Sequence, residues 1–200
     1  MLIDVDESQL VLVDFQPRLQ TAMHDAQAVW ANASRLAQAA HLLQLPVWGT
    51  EQNPSKLGAL PAQLRDVCQR VLAKMHFSAV EEGLAEWLQP APSVPRGNAR
   101  SLPRHLQKPQ PEQAARKSIV LAGVEAHVCL LQTALDLLDE EFEVWVVTDA
   151  CTSRTERNRD AAYDRLAGAG AELVTTEMVI FEWLRGAEHA QFREIQALIK

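Results

Sequence analysis

Six short apolar runs, spaced by segments of helical periodicity, constrain the fold of this chain more than any other feature of its sequence. Gln9–Phe15 (QLVLVDF) is apolar through its middle and reads as a buried strand carrying a carboxylate near its end. Pro46–Thr50, Val71–Lys74, Ser118–Gly123, Glu143–Ala150 and Ala171–Thr175 read as five more strands; EVWVVTDA is strong in β-branched residues, which suit a pleated surface. Between the first two runs, Val29, Ala33, Leu36, Ala40 and Leu43 recur every three or four residues and predict a helix over Ala26–Leu45. Leu131, Leu135 and Leu138 do the same for His127–Glu140. Val80–Leu88, Asn158–Gly168, Thr176–Leu184 and Glu188–Lys200 are the other expected helices, with Gly168 and Gly170 as a stop and Thr176 as a cap. Strands alternating with helices predict a three-layer α/β/α fold around a mostly parallel, Rossmann-like sheet of about six strands. Such a sheet binds ligands beyond the carboxyl ends of its strands, near the point where strand order reverses.

The 200 residues suit one domain, and 48% hydrophobic with 22% charged residues is a globular composition. Gln89–Pro111 holds six prolines and one glycine, too many breakers for a regular element. It reads as a long excursion within that single domain, which either covers a pocket or meets a neighbouring subunit. A formal charge of −7 argues against general affinity for nucleic acid or anionic membrane. Three cysteines, with no Cys-x-x-Cys pair, give no disulfide framework. The acidic Met-Leu-Ile-Asp-Val-Asp-Glu start is unlike an export signal, and no apolar run has the length of a membrane span, so a reducing cytoplasm is the expected compartment.

The residues just after each strand are therefore the ones to inspect. Cys129 follows the fourth strand at the start of a helix, where free N–H groups and the helix dipole favour a thiolate. Alone, it would more often be a small core residue. Lys74 ends the third strand; an ammonium there would lower a nearby thiol pKa, although a snorkelling surface lysine is the commoner case. Asp14 near the end of the first strand is a turn residue or a base. Together the three supply a base, a cation and a nucleophile on one edge of the sheet. Cys151 also follows a strand and is the rival nucleophile, whereas Cys68 has no evident role. His127 and Cys129 lack the second pair that zinc spacing needs. Gly168-Ala169-Gly170 precedes a strand, the reverse of the dinucleotide-binding order. Arg96, Arg100, Arg104 and Lys108 make a basic stretch in the excursion, read as a solvated loop or as a contact for an anionic substrate or a subunit.

Asp14-Phe15-Gln16, Thr50-Glu51-Gln52-Asn53-Pro54, Lys74-Met75-His76-Phe77-Ser78, Gly123-Val124-Glu125-Ala126-His127-Val128-Cys129 and Thr148-Asp149-Ala150-Cys151-Thr152-Ser153-Arg154 resemble the motifs of isochorismatase-like cysteine hydrolases. The resemblance spans Gln9 to Leu184 and is most specific at the Gly123–Cys129 string; its nearest branch is the isochorismatase domain-containing hydrolases. It implies Asp14, Lys74 and Cys129 as catalytic residues and a cis peptide between Val124 and Glu125. It implies dimers or larger assemblies. The backbone N–H groups of Ala126 and Cys129 are the expected oxyanion hole. Gln16, Gln52, His76, Phe77 and Glu125 are the expected pocket lining. Nicotinamidases of this superfamily hold a metal through an Asp and histidines after the second strand. Thr50–Leu57 has no histidine here, so no metal and no cofactor is expected. Cysteine chemistry favours hydrolysis of a carbon–nitrogen bond in a small amide or ureide, through a thioester, over vinyl-ether cleavage. The contrasting expectation is a non-catalytic α/β binding protein, or a redox protein in which Cys151 resolves an oxidised Cys129.

Overall fold

The computed structural model describes residues 1–89 and 116–200. Each of the six apolar runs forms a strand: β1 (Ser8–Val13), β2 (Val47–Gln52), β3 (Arg70–Lys74), β4 (Ser118–Val124), β5 (Glu143–Thr152) and β6 (Glu172–Val174). They make one sheet in the order β3-β2-β1-β4-β5-β6, and every neighbouring pair is parallel. The order reverses between β1 and β4, which places the ligand crevice of such a fold at their carboxyl ends.

Every residue of β1 and β4 is buried, as expected of strands covered on both faces. Alternate side chains serve opposite layers. Leu10, Leu12, Val120 and Ala122 pack with α2 (Ala26–Leu42), α8 (Thr176–Leu184) and Ile195 of α9 (Phe192–Leu198). Val11, Val13, Ile119 and Leu121 pack with α5 (Leu84–Leu88), α6 (Leu131–Asp139) and α7 (Glu156–Gly168). Burying one such leucine or isoleucine is worth about 1.5–3 kcal/mol, so the two layers hold the sheet while its carboxyl edge carries polar groups. At that edge a Cβ on Gly123 would lie 2.5 Å from Val13 Cβ and O, so only glycine lets β1 and β4 approach there.

Several element ends differ from expectation. The α2 helix stops at Leu42, not Leu45, because Gln44 turns left-handed at φ 60° and Leu45 N donates back to Ala40 O at 2.9 Å. Glu141, at φ 62°, ends α6 in the same way, with Phe142 N on Leu137 O at 3.0 Å. This closure is usually marked by glycine, and neither position has one. Leu135 and Leu138 lie only part-buried, and the inner face of α6 is Leu131, Ala134 and Leu137. Val80–Leu88 divides at Gly83, φ 91°, into a 3₁₀ turn (Val80–Glu82) and α5. The Asn53–Pro61 loop contains one helical turn, Pro54–Leu57. The cap of α8 is Thr175, which accepts from Met178 N; Thr176 instead donates its N–H and hydroxyl to Asp149 Oδ1 at 2.7 and 2.9 Å.

The Pro-rich excursion lies outside the described residues except for Gln89. Its flanks are anchored at the amino edge of the sheet, where Gln9 Nε2 donates to Leu88 O and Arg116 O at 2.8 and 2.9 Å. No helix among the described residues is long and apolar enough to cross a membrane.

Candidate active site

The first residue past β1, Asp14, has φ 54°, a left-handed conformation that Asp tolerates better than most residues. Thr50 on β2 supports it. The Asp14 N–H donates to Thr50 Oγ1 at 3.2 Å, and that hydroxyl donates to Asp14 Oδ1 at 2.6 Å. The other carboxylate oxygen, Oδ2, lies 2.9 Å from Lys74 Nζ, and both side chains are fully buried. A lysine at the end of β3 thus reaches inward to the end of β1; it does not snorkel. Its ammonium also donates to Gln52 Oε1 at 2.6 Å, Phe77 O at 2.9 Å and His76 O at 3.3 Å. Two charges so far from water persist only because each is paired and hydrogen-bonded. Among the described residues Asp14 Oδ2 accepts no well-directed hydrogen bond.

Cys129 comes from the other side of the strand reversal, in a π-helical turn, Ala126–Leu130, between β4 and α6. Such wide turns recur at functional sites. Its side chain is nearly buried, and Sγ lies 3.7 Å from Gln52 Oε1. Burial, then the nearby Asp14 charge, push the thiol up to about 12, against the opposing pull of Lys74. Desolvation and one carboxylate outweigh the ammonium that favours the thiolate, so the net shift is upwards.

The peptide bond between Val124 and Glu125 is cis. The following N–H groups are distributed unevenly. His127 N donates to Ser153 Oγ and Val128 N to Glu125 O, while Ala126 N–H has no acceptor among the described residues. Side chains tie this segment to the end of β5. Glu125 receives Arg154 NH2 at 2.5 Å, Nε at 2.8 Å and the backbone N at 3.2 Å, and the guanidinium holds its carboxyl below the usual carboxylate range. His127 Nε2 lies 3.3 Å from Asn158 Nδ2, and its Nδ1 lies 2.9 Å from Ser153 Oγ.

The expected lining residues divide by what their polar atoms already do. The Gln16 amide is fully buried and spent on the Gln52 backbone, accepting from Gln52 N at 2.9 Å and donating to Gln52 O at 3.0 Å. Glu125 is committed to Arg154. Gln52 faces both Lys74 and Cys129. Phe77 is half exposed and His76 more so, and both lend carbonyls to Lys74. Cys151, the rival nucleophile, is buried with Sγ against Leu121 O, and burial pushes its thiol up. Cys68 is also raised, to about 12, by burial. Thr50, Ser153, Arg154 and Glu82 have supporting roles that the sequence did not assign. The first three lie at strand ends, where a signal existed. Among the described residues, no group of three or more His, Cys, Asp or Glu side chains is placed to hold a metal. Two open clefts lie elsewhere, one of about 530 Å³ beside Met178 and Phe181, another of about 550 Å³ beside Trp30 and Arg35.

The family described as Isochorismatase domain matches residues 105–178. Isochorismatase domain-containing protein 2 of Bos taurus is 38% identical over 196 residues, covering 96% of this chain and 83% of the relative. A solved structure titled MAR1 ribonuclease, from Caenorhabditis elegans, superposes with a TM-score of 0.83 at 29% identity, covering 100% of this chain and 92% of that one. The YcaC product of Escherichia coli, titled an octameric hydrolase of unknown specificity, gives a TM-score of 0.74 at 23% identity over 100% of this chain and 95% of that one, a likeness of fold.

Proposed function

Because the chain belongs to the isochorismatase family, we propose that it is a metal-independent cysteine hydrolase cleaving a carbon–nitrogen bond in a small amide or ureide. The observation that carries this reading is the fully buried Asp14–Lys74 pair at 2.9 Å, coupled electrostatically to the Cys129 thiol.

A thiol held protonated at rest calls for a base that acts during attack. Asp14 takes the Cys129 proton as sulfur adds to the substrate carbonyl. The developing oxyanion is met by the N–H groups of Ala126 and Cys129, and the Ala126 N–H, without an acceptor among the described residues, supports that role. Asp14 passes its proton to the leaving nitrogen, the carbon–nitrogen bond breaks, and an amine departs. Water then gives a proton to Asp14 and attacks the thioester; the carboxylic acid leaves and the thiol re-forms. Lys74, 2.9 Å from Asp14 Oδ2, holds the carboxylate in place between these transfers. Gln52, His76 and Phe77 line the substrate side, while Gln16 and Glu125 brace it.

The C. elegans relative's title names a ribonuclease; a net charge of −7 favours a small-molecule substrate here over nucleic acid. We also propose a single-domain protein that works as a homo-oligomer, as the E. coli neighbour's title describes for that protein, in the reducing cytoplasm that its three free thiols suit. The test is a screen of small amides, ureides and carbamoyl compounds with intact-mass detection of an adduct. Turnover and an adduct on Cys129 are expected, both lost in Cys129→Ala. Full activity in Cys129→Ala overturns the mechanism.

A further inference from the structure

Lys74 takes two of its four contacts from the carbonyls of His76 and Phe77, so its position depends on the turn that follows β3. Among the described residues that turn has no apolar anchor of its own. Met75, His76 and Phe77 are all exposed, Met75 by 64% and Phe77 by 53%. Burial resumes only at Ser78, whose hydroxyl meets Asp136 Oδ2 at 2.5 Å. Hydrogen bonds must therefore hold the backbone in between. Gln52 Nε2 supplies one, to Met75 O at 2.9 Å. The Glu82 carboxylate supplies three: Oε1 accepts from Met75 N at 2.9 Å, His76 N at 3.1 Å and His76 Nδ1 at 2.9 Å.

The geometry points to Glu82 as a positioning residue for the proposed reaction: it clamps the Met75–Phe77 turn so that two carbonyls hold the Lys74 ammonium against Asp14 and Cys129. This inference rests on the catalytic reading of Lys74 given above. Glu82 touches neither the sulfur nor Asp14, and acts only through the turn. The same three donors hold its carboxyl down at about 2, so the clamp stays ionised across any working pH.

The sign of one shift separates this role from plain electrostatics. Removing a negative charge, by itself, lowers the pKa of a nearby thiol. Letting Lys74 drift raises it, because Lys74 pulls the Cys129 thiol downwards. The experiment is the pH profile of Cys129 alkylation by iodoacetamide, a neutral reagent, followed by intact mass in the whole protein. Glu82→Ala should move the profile upwards by about half a pH unit, or roughly threefold slower labelling at a fixed alkaline pH. Glu82→Gln, which keeps an acceptor oxygen, should move it less. Glu81→Ala, an exposed neighbour of equal charge, should leave it in place. Lys74→Met should give the largest upward shift. An upward shift in Lys74→Met with none, or a downward one, in Glu82→Ala overturns the clamp and leaves the catalytic reading standing. No shift in Lys74→Met removes that reading and the clamp with it.

Discussion

The two halves of the site, on either side of the β1/β4 reversal, are built differently. The β1–β3 half holds its charges out of water: Asp14 and Lys74 have no exposed side-chain surface, Thr50 and Gln52 bond them at 2.6 Å each, and Gln16 holds the Gln52 backbone. The β4–β5 half carries the sulfur on a wide turn, tied to the end of β5 by an Arg154–Glu125 pair whose arginine side chain is 63% exposed. Buried pairs are costly to break because the surviving charge is stranded; exposed pairs contribute little. The charged half should therefore be stiff and sensitive, and the sulfur half adjustable.

The largest expected effect breaks the stiff half. Lys74→Ala strands the Asp14 carboxylate and should lower unfolding free energy by about 3–5 kcal/mol, read by urea denaturation. The double variant Asp14→Leu with Lys74→Met should lose less than the sum of its single changes, since neither charge is then left alone. If the two losses simply add, the pair is not coupled as described.

Alkali should sharpen the contrast with a smaller effect. Cys129 and Cys68 have folded-state values raised from 9.0 to about 12, so above 9.0 the unfolded chain gives up protons that the fold retains. Their contribution is constant below 9.0. It is lost as pH rises from there towards 12, at up to about 1.4 kcal/mol per pH unit for each thiol. Cys129→Ala should flatten the decline seen in urea midpoints, and an equally steep decline would count against a raised thiol.

The smallest effect belongs to the exposed tie. Arg154→Ala should cost under about 1 kcal/mol at neutral pH. Glu125 is held below its usual 4.5, so the Arg154 contribution is present above that value and fades as pH falls through the lowered one. Wild type and variant should converge in acid. Its larger consequence should be in turnover, through looser placement of Ala126 and Cys129; unchanged turnover would mean that the tie does not hold the oxyanion side.

Much of this arrangement was legible in the chain because a parallel sheet puts strand ends on one edge. Knowing where QLVLVDF, the run into Lys74, and SIVLAG stop was enough to gather Asp14, Lys74 and Cys129 there. What the pattern did not carry is the environment of each group. Lys74 read first as a surface residue, because a buried ammonium depends on partners from β1, β2 and the turn after β3. The helix dipole and the lysine, which favour a thiolate, are visible in sequence, while the desolvation that opposes them is not. Glu82 gave no signal, since a part-buried Glu six residues beyond His76 acquires its role only when the chain folds back. Helix α2 was extended too far because Gln44 closes it in the conformation usually left to glycine.

The proposed mechanism turns on one proton, passed from the Cys129 thiol to the Asp14 carboxylate. Its most direct measurement is the alkylation pKa of Cys129, in a Cys68→Ser and Cys151→Ser background, with Asp14 intact and with Asp14→Asn. The account predicts a midpoint well above the ordinary 9.0 with Asp14 and a clear fall without it, together with loss of turnover. The same midpoint in both proteins would contradict it.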